Sequence, residues 1–326
     1  MNNILSLFKS FLNIGIPSFG LFIICTFLLR WLSGDKFLVV RVTNYFMFWL
    51  GVLLILMLIL VVMSKRVYTT AILLTAIILI GHSYFPLLTN CKKTALASSP
   101  SIKIMSYNIW RENTSMTAVA DVIRSVKPDI LLMQELLPYH APALIKELKE
   151  FYRENQIYVV YDPFIKQVIL SRYPIQNDEA FPRKGRAQKA SIKTPFGLIT
   201  VINIHAYKWR WLRRHRQMEA LMKEDVIYQR GPIILGGDFN TNEQSQTFRL
   251  VNQYLRNAHW EVGCGFEFTY PTPTSIFKKN IPIPALIRID HIFFSEHFIP
   301  IKLRKLSDSG GSDHFPVVAE LVMNNN

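Results

Sequence analysis

The strongest constraint on the fold is a set of three long apolar runs near the start of the chain. They are 19, 19 and 22 residues long and cover residues 14–32, 45–63 and 67–88. At about 1.5 Å per residue, each helical run would cross a hydrocarbon core of roughly 30 Å. Trp31, Trp49 and Tyr84 stand toward the run ends, as aromatic residues do at membrane interfaces. The runs predict three transmembrane helices and an integral, multi-pass protein of the cell membrane.

The rest of the chain has the composition of an ordinary globular domain. We predict a membrane anchor at 1–90, a short polar linker at 91–100 and one folded domain at 101–326. About 225 residues are enough for a single domain with a layered core. Because apolar residues make up 50% of the chain, the sequence excludes a disordered or collagen-like protein.

The net charge of +14 is divided between the two regions. Residues 1–99 hold 8 Lys and Arg and 1 Asp, while the remainder carries a further excess of basic residues. Basic residues beside the apolar runs suit anionic lipid headgroups. Their count leans slightly toward a cytoplasmic domain, but Arg30 and Arg41 can snorkel from within the spans, so the side of the membrane stays open. The basic excess of the domain suits a phosphate-bearing partner without identifying one.

The three cysteines are Cys25, Cys91 and Cys264, and no CxxC pair occurs. That spacing argues against a zinc knuckle and against a thioredoxin-like site. Cys91 follows the third apolar run, as a lipid-modified cysteine would, but Asn90 before it is a poor match to the small residue expected there. The cysteine count leaves the redox compartment open.

Residues 101–326 alternate between strand-like and helix-like stretches, which indicates an α/β class. Side chains that can ligate a metal or act in catalysis lie beside or within several of these strand-like stretches. They are Asn108, Glu135, His205, Asp238, Asn240, Asp290, Asp313 and His314. Strand ends at one edge of a sheet are where α/β proteins place their sites. Taken singly, an Asn or Asp there can be a turn residue and a His can be a core residue. Their recurrence favours a functional site.

Seven motifs occur in a fixed order, namely YNIW, QE, SRYPI, NIHAY, GGDFN, IDHIFFS and SDHFPVVAEL. In this order they resemble the endonuclease/exonuclease/phosphatase superfamily, which includes deoxyribonucleases, apurinic-site endonucleases, bacterial sphingomyelinases and inositol polyphosphate phosphatases. The resemblance covers roughly residues 100–323. It implies a four-layer sandwich of two packed mixed β-sheets flanked by helices, here preceded by the three transmembrane helices. Periodicity alone gives only the α/β class.

The resemblance also implies a divalent-metal site. Glu135 matches the metal-ligating glutamate of the family, and Asn108 matches an amide that completes the metal shell or contacts the phosphate. Asp313 is placed to contribute to the metal, with a hydrogen bond to a ligand as the alternative. The implied ion is Mg²⁺, with Mn²⁺ as a possible substitute, because hard cations prefer oxygen ligands.

The remaining matches imply catalytic roles. Asp238 matches the aspartate that orients or deprotonates the attacking water, and Asn240 matches the amide that steadies water and phosphate. His314 matches the histidine at the scissile phosphate, as base or as cationic clamp, and Asp290 matches its hydrogen-bonded carboxylate. His205 matches a second histidine, which binds phosphate or acts as general acid.

A basic and aromatic segment at 208–216 follows His205 directly. Arg210, Arg213 and Arg214 within it are candidate substrate-binding residues, because alternating cations and tryptophans can track phosphates or lipid headgroups. The alternative is the solvated start of a helix.

Together these features predict a membrane-anchored, Mg²⁺-dependent hydrolase of phosphate esters that cleaves phosphodiesters by in-line attack of water, in the manner of a nuclease. The first alternative is a lipid phosphodiesterase or phosphatase of the sphingomyelinase type, and the second is a non-enzymatic, membrane-tethered phosphate-binding module. The expected partners are therefore a nucleic acid or phospholipid substrate and the membrane itself. The sequence indicates no protein partner.

Overall fold

The structure, a computed structural model, describes residues 2–89, 100–152, 157–181, 187–208, 210–273 and 284–324. All of the predicted linker at 91–100 except Pro100 therefore lies outside the described residues. The chain divides into two compact units. We call them the helical unit, residues 1–86 with Gln244–Gln246, and the sheet unit, Leu87–Glu243 with Thr247–Asn326.

The helical unit contains three helices that are long and apolar enough to cross a membrane, which agrees with the predicted runs. Its helices are α1 (Asn2–Ser10), α2 (Ile16–Ser33), α3 (Leu38–Met63) and α4 (Val67–Thr89), and a π-helical turn, Phe11–Gly15, joins the first two. Helix α3 begins seven residues before the predicted run, because it includes Arg41, whose charge interrupts the apolar pattern. The Arg41 side chain donates hydrogen bonds to the carbonyl oxygens of Asp35 and Lys36, so its charge is accommodated within the helix.

The sheet unit is built from twelve described strands, five described α-helices and a π-helical turn, Met222–Val226. The strands of the first sheet are β1 (Ser101–Asn108), β2 (Ile130–Gln134), β3 (Tyr158–Asp162), β4 (Gln167–Ser171), β11 (Phe298–Lys305) and β12 (Val317–Met323). Those of the second are β5 (Ile175–Phe181), β6 (Ala187–Thr194), β7 (Gly197–His205), β8 (Ile233–Asp238), β9 (Arg256–Asn257) and β10 (Asp290–Phe294). The helices are α5 (Met116–Val126), α6 (Ala141–Phe151), α7 (Trp211–Leu221), α8 (Gln246–Asn252) and α9 (Ala258–Val262).

The two sheets have matching topologies. The first has the order β11-β12-β1-β2-β4-β3 and the second has the order β5-β6-β7-β8-β10-β9. Each holds one parallel pair at its centre, β1 with β2 and β7 with β8, and its other pairs are antiparallel. Both sheets are therefore mixed, as the resemblance implied.

Alternation along the strands sorts the apolar side chains into separate cores. Ile104 of β1 and Val201 of β7 are buried between the two sheets. Their chain neighbours point the other way, since successive strand residues face opposite sides. Met105 packs under α5 and α6, and Ile202 packs under α7 and α8. The result is the four-layer order of helices, sheet, sheet and helices that the resemblance implied.

Three strands fall outside the apolar, strand-like stretches of the sequence, and all three lie at sheet edges. They are β5, β9 and β11, each with a strand neighbour on one side only. An edge strand carries polar residues that interrupt an apolar pattern. In β11 the pairing register shifts between Pro300 and Lys302, which further hides the alternation.

Candidate active site

Three of the predicted site residues stand side by side in the second sheet. His205, the last residue of β7, pairs with Asp238, the last residue of β8, and Asp238 pairs with Asp290 on β10. Residues in register on neighbouring strands project from the same face of a sheet. That face is the inner one, because Ile234 and Ile292 at alternate positions of the same strands belong to the core between the sheets.

The first sheet brings two more residues to the same place. Asn108 ends β1, and Glu135 directly follows β2. The backbone of Glu135 is left-handed, with φ of 66°, so its side chain departs from the alternation of the strand. Its Oε2 accepts a hydrogen bond from the backbone N–H of Arg111 at 2.9 Å, and its Oε1 lies 3.4 Å from Nε2 of His205. Glu135 therefore joins the two sheets at the site.

The two glycines of GGDFN permit this close approach. A Cβ at Gly236 would overlap the Leu132 side chain of the opposite sheet. A Cβ at Gly237, whose φ is 146°, would overlap the carbonyl oxygen of Ile204 on the neighbouring strand. Only glycine fits positions with so little room or with such a backbone angle. Because neither glycine has a Cβ, the end of β8 packs closely on its neighbours and Asp238 lies directly between the two sheets.

The Asp238 carboxylate is held by side-chain amides from both sheets. Its Oδ2 accepts hydrogen bonds from Nδ2 of Asn108 and Nδ2 of Asn240, each at 3.0 Å, and its Oδ1 accepts one from the backbone N–H of Asn240 at 2.8 Å. Asp238 is only 2% exposed. Burial raises the pKa of this carboxyl above its usual value, and His314 opposes that effect.

His314 and Asp290 form a buried pair beside it. Nδ1 of His314 lies 2.9 Å from Oδ2 of Asp290, and Nε2 of His314 lies 3.9 Å from Oδ2 of Asp238. Burial alone would lower the pKa of His314, but the carboxylates of Asp290 and Asp238 raise it to about 10. The Tyr270 ring packs on the imidazole, with 4.8 Å between ring centroids. The ring is therefore fixed in place and held cationic.

Asp313 completes the group, and its environment suits a cation. Its Oδ1 lies 3.8 Å from Nε2 of His314 and is buried without a hydrogen-bond partner among the described residues. Burial raises the pKa of Asp313 to about 6, and the nearby Glu135 carboxylate acts in the same direction. A buried carboxylate oxygen without a donor, close to a second carboxylate, matches the oxygen ligands that a hard divalent cation prefers.

A different set of donor atoms also lies close enough together to hold a metal. Oxygen and nitrogen atoms of Asp238, Asp290 and His314 all lie within 4.8 Å of one another. However, Oδ2 of Asp290 is paired with Nδ1 of His314, Oδ2 of Asp238 accepts two amide hydrogen bonds, and a hard cation prefers oxygen to an imidazole nitrogen. This chemistry favours the oxygen donors Asn108, Glu135 and Asp313 over the cluster that contains the histidine.

All eight predicted residues are thus connected by contacts of 3.9 Å or less. Part of the group opens into a cleft of about 300 Å³, lined by Trp110, Arg111, Glu135, His205, Tyr207, Lys208, Arg210 and Asp313. Asp238 and His314 are each 2% exposed and lie beneath this lining rather than in it. The arrangement can therefore present carboxylates and an imidazole to a phosphate that enters from the cleft.

The three predicted substrate-binding arginines occupy different environments. Arg210 lines the cleft, and Arg213 is exposed on α7. Arg214 is only 3% exposed, and its Nη1 donates to the carbonyl oxygens of Tyr207 and Lys208. Arg214 therefore anchors the backbone that follows β7 and lies outside the cleft lining, while its contact with substrate stays a prediction. Trp209 of the same segment lies outside the described residues.

Sequence reasoning missed several residues that line or support the cleft. Trp110 belongs to the YNIW motif but was given no role, and Lys208 was noted only as part of a basic segment. Tyr270 carries no sequence signal, because it reaches His314 from a loop more than forty residues away in the chain. Such contacts depend on the tertiary fold.

Comparison with known proteins gives one family match. The model of the Endonuclease/Exonuclease/phosphatase family matches residues 105–314, which is well over half of the chain and includes every predicted site residue. No curated protein sequence gives a significant match.

Solved structures give a likeness of fold. An endonuclease/exonuclease/phosphatase from Bacteroides vulgatus is 17% identical, covering 69% of this chain and 100% of its own, with a TM-score of 0.56. A family protein from Bacteroides thetaiotaomicron is 21% identical, covering 69% and 98%, with a TM-score of 0.55. TDP2 from D. rerio, complexed with a single-strand DNA product, is 17% identical, covering 69% and 100%, with a TM-score of 0.54.

Proposed function

This chain belongs to the endonuclease/exonuclease/phosphatase family, and from that premise we propose that it is a metal-dependent hydrolase of phosphodiester bonds, integral to a membrane through its three apolar helices. One observation carries the proposal. Eight residues from six separate segments, all predicted from their sequence context, meet in one connected group between the two sheets. A phosphate-binding protein without turnover has no need of so complete a set of carboxylates and imidazoles.

We assign the metal ligands to Asn108, Glu135 and Asp313, with Mg²⁺ as the ion and Mn²⁺ as a possible substitute. Support comes from the oxygen donors in the cleft and from the buried Asp313 Oδ1, which has no hydrogen-bond partner among the described residues. Such an ion, when bound, polarises a phosphoryl oxygen and stabilises the leaving oxygen.

The other residues take roles that follow from their protonation and hydrogen bonds. Asp238, held by Asn108 and Asn240, orients the attacking water and accepts its proton at a carboxylate oxygen. His314 is cationic because of Asp290, so its Nε2–H donates to a phosphoryl oxygen as a clamp rather than acting as a base. His205, which reaches both the cleft and Asp238, contacts the phosphate from the other side.

We favour a nuclease-like activity, because one structural relative in the same fold is bound to a DNA product. Lipid phosphodiester hydrolysis is a second candidate, since three apolar helices hold the chain at a lipid surface. Both activities would use the same residues, so substrate identity is a matter for direct assay.

The test uses the full chain in detergent micelles. Supercoiled DNA, single-stranded RNA, phospholipid vesicles and a simple aryl phosphodiester are each incubated with Mg²⁺, with Mn²⁺ or with EDTA. We expect cleavage that EDTA abolishes and that Asp238→Asn removes, and DNA cleavage that falls steeply with salt. Cleavage of vesicles alone would establish the lipid activity instead. Phosphate binding by the folded protein without any turnover in Mg²⁺ or Mn²⁺ would overturn the enzymatic proposal.

A further inference from the structure

Resting on the proposed function, we propose that Lys208 is a further substrate-contacting residue, and that it selects phosphodiesters carrying a second anionic group over those carrying a cationic headgroup. Lys208 stands three residues after His205 and lines the same cleft as Glu135 and Asp313. Its side chain is exposed on that lining. A substrate that reaches the predicted metal ligands must therefore pass its ammonium group.

A contact chain links Lys208 to the catalytic imidazole. Nζ of Lys208 lies 3.5 Å from Oη of Tyr270 and 4.9 Å from the centroid of the Tyr270 ring. The same ring packs on His314, at 4.8 Å between centroids. A cation over an aromatic face is attracted to it, so Tyr270 holds the ammonium group on the His314 side of the cleft.

The backbone beneath Lys208 is fixed by buried side chains of α7. Arg214 donates to the carbonyl oxygens of Tyr207 at 3.1 Å and of Lys208 at 2.8 Å, while Oε1 of Gln217 accepts from the N–H of Tyr207 at 3.3 Å. Arg214 and Gln217 are 3% and 5% exposed. A flexible lysine mounted on a fixed backbone loses less freedom on binding, which favours its use as an anion contact.

The charges of the cleft lining define the substrate class. Arg111, Lys208 and Arg210 supply three cations, and Glu135 and Asp313 supply two carboxylates that a divalent metal would neutralise. Burial acts to lower the pKa of Lys208, but Tyr270 and the site carboxylates raise it above its usual value, so the group stays charged at neutral pH. The excess positive charge attracts a second phosphate and repels a choline-like headgroup.

Two soluble substrates that differ in a single phosphate test the inference. They are thymidine 5′-(4-nitrophenyl phosphate) and the same ester with a 3′-phosphate, assayed on the full chain in micelles with Mg²⁺. Lys208→Met removes the charge and Lys208→Arg keeps it. Lys223→Met is the matched control, because it removes the same charge from an exposed site, where Nζ of Lys223 lies 2.8 Å from Oε1 of Glu219.

We expect wild type and Lys223→Met to favour the 3′-phosphorylated ester in kcat/KM by about tenfold or more, as for a charge-assisted contact. Lys208→Met should lose that preference, because KM for the 3′-phosphorylated ester rises toward that for the unphosphorylated one, and Lys208→Arg should retain most of it. Equal losses on both esters would put Lys208 at the scissile phosphate and overturn the selectivity. A preference that survives in Lys208→Met would also overturn it.

A binding measurement separates this inference from the proposed function. Thymidine 3′,5′-bisphosphate and thymidine 5′-monophosphate are titrated calorimetrically into wild type and Lys208→Met. If wild type hydrolyses nothing, the proposed function fails, but tighter binding of the bisphosphate that depends on Lys208 still supports the inference. Equal binding of both nucleotides overturns it.

A lipid arm identifies the source of the second anionic group. Mixed micelles present phosphatidylcholine, phosphatidylinositol or phosphatidylinositol 4-phosphate to the same variants. A Lys208-dependent preference for the phosphorylated inositol lipid would assign the site to headgroups, and a preference confined to the thymidine pair would assign it to nucleotides. Preferential hydrolysis of phosphatidylcholine would contradict the inference.

Discussion

The side-chain amide of Gln134 donates a hydrogen bond of 2.7 Å from Nε2 to Oδ1 of Asn203, across the interface between the two sheets. Asn203 in turn donates from Nδ2 to the carbonyl oxygens of Met133 and Val168, at 2.9 Å and 3.0 Å. Both amide side chains are fully buried. This polar bridge is an exception within an apolar core, so its position matters.

The bridge lies directly behind two site residues. Gln134 precedes Glu135 in the chain, and Asn203 stands two residues before His205, on the same face of its strand. Fixing one amide against the other therefore fixes the 3.4 Å separation of Glu135 Oε1 and His205 Nε2. The bond acts as a spacer that sets how far apart the two halves of the site stand.

Asn203→Leu should damage both stability and activity. It removes the acceptor on Asn203, so that Nε2 of Gln134 keeps only the carbonyl oxygen of Leu132, and it removes the donor to Met133 and Val168. The loss costs about 1–3 kcal/mol of unfolding free energy and frees Glu135 from His205. We expect kcat to fall about tenfold. Chemical unfolding and a Mg²⁺-dependent diester assay measure the two effects.

The double variant Gln134→Leu/Asn203→Leu is the control. Replacing both partners with apolar groups should recover part of the stability without recovering kcat, because no hydrogen bond then sets the spacing. Full recovery of activity by the double variant would refute the spacer role.

Asp238→Asn and His314→Ala should each lower kcat by about 10²–10⁴-fold, since one removes the proton acceptor and the other the cationic clamp. Asp238→Asn keeps the size of the side chain, so its unfolding midpoint should stay close to that of wild type. Near-wild-type turnover by either variant would sink the site assignment.

His291 should make the sheet unit less stable in mild acid. Its ring packs against Phe239, Phe248 and Phe293, and its Nε2 donates to the carbonyl oxygen of Thr241. Burial lowers its pKa to about 4, below the ordinary value of a histidine in the unfolded chain, so the unfolded state binds more protons between about pH 4 and 6.5. Stability is therefore complete above pH 6.5 and falls as the pH is lowered, by up to about 2 kcal/mol at pH 5.

Unfolding midpoints of wild type and His291→Phe across pH 5 to 8 measure this effect. The variant gives up the bond to Thr241 and is expected to be less stable at pH 8, but its stability should change less with pH. Parallel pH curves for the two proteins would show that another group carries the dependence.

The disulfide bond of Cys264 indicates on which side of the membrane the sheet unit lies. It is disulfide-bonded, whereas Cys25 of the helical unit is a free thiol. Structural disulfides persist in oxidising compartments and are rare in the cytosol. We therefore expect the sheet unit to face away from the cytoplasm, a question that the charges beside the spans left open.

Thiol labelling tests this orientation. The protein is extracted from cells under conditions that prevent thiol–disulfide exchange and is then treated with a maleimide reagent. Labelling of Cys264 without prior reduction would contradict this orientation.

The sequence predicted the buried parts of the fold better than its rim. Strands β1, β2, β4, β7 and β8 are central and apolar, so their pattern was visible, while edge strands such as β11 mix Pro300 and charged residues into theirs. The site residues could be predicted from the sequence because each lies at or near a strand end within a motif. Their roles stay proposals.

What escaped prediction depends on contacts between distant segments. The sequence of the 208–216 segment does not distinguish Arg214 from Arg210. Arg214 is buried against two backbone carbonyl oxygens, whereas Arg210 lines the cleft. Nor does any local pattern bring Tyr270 to Lys208 and His314. Distinctions of this kind follow from which side of a helix or loop faces the core.

The strand that opens the sheet unit pairs with the strand that closes it, since β1 lies between β2 and β12. Asp313 and His314 lie shortly before β12, so they take their places at the site as β12 pairs with β1. A chain folded only as far as β10 would hold Glu135 and Asp238 but would lack His314 and the strand that pairs with β1. We therefore expect the proposed site to be incomplete until β1 and β12 have paired, so that the site and the first sheet form together.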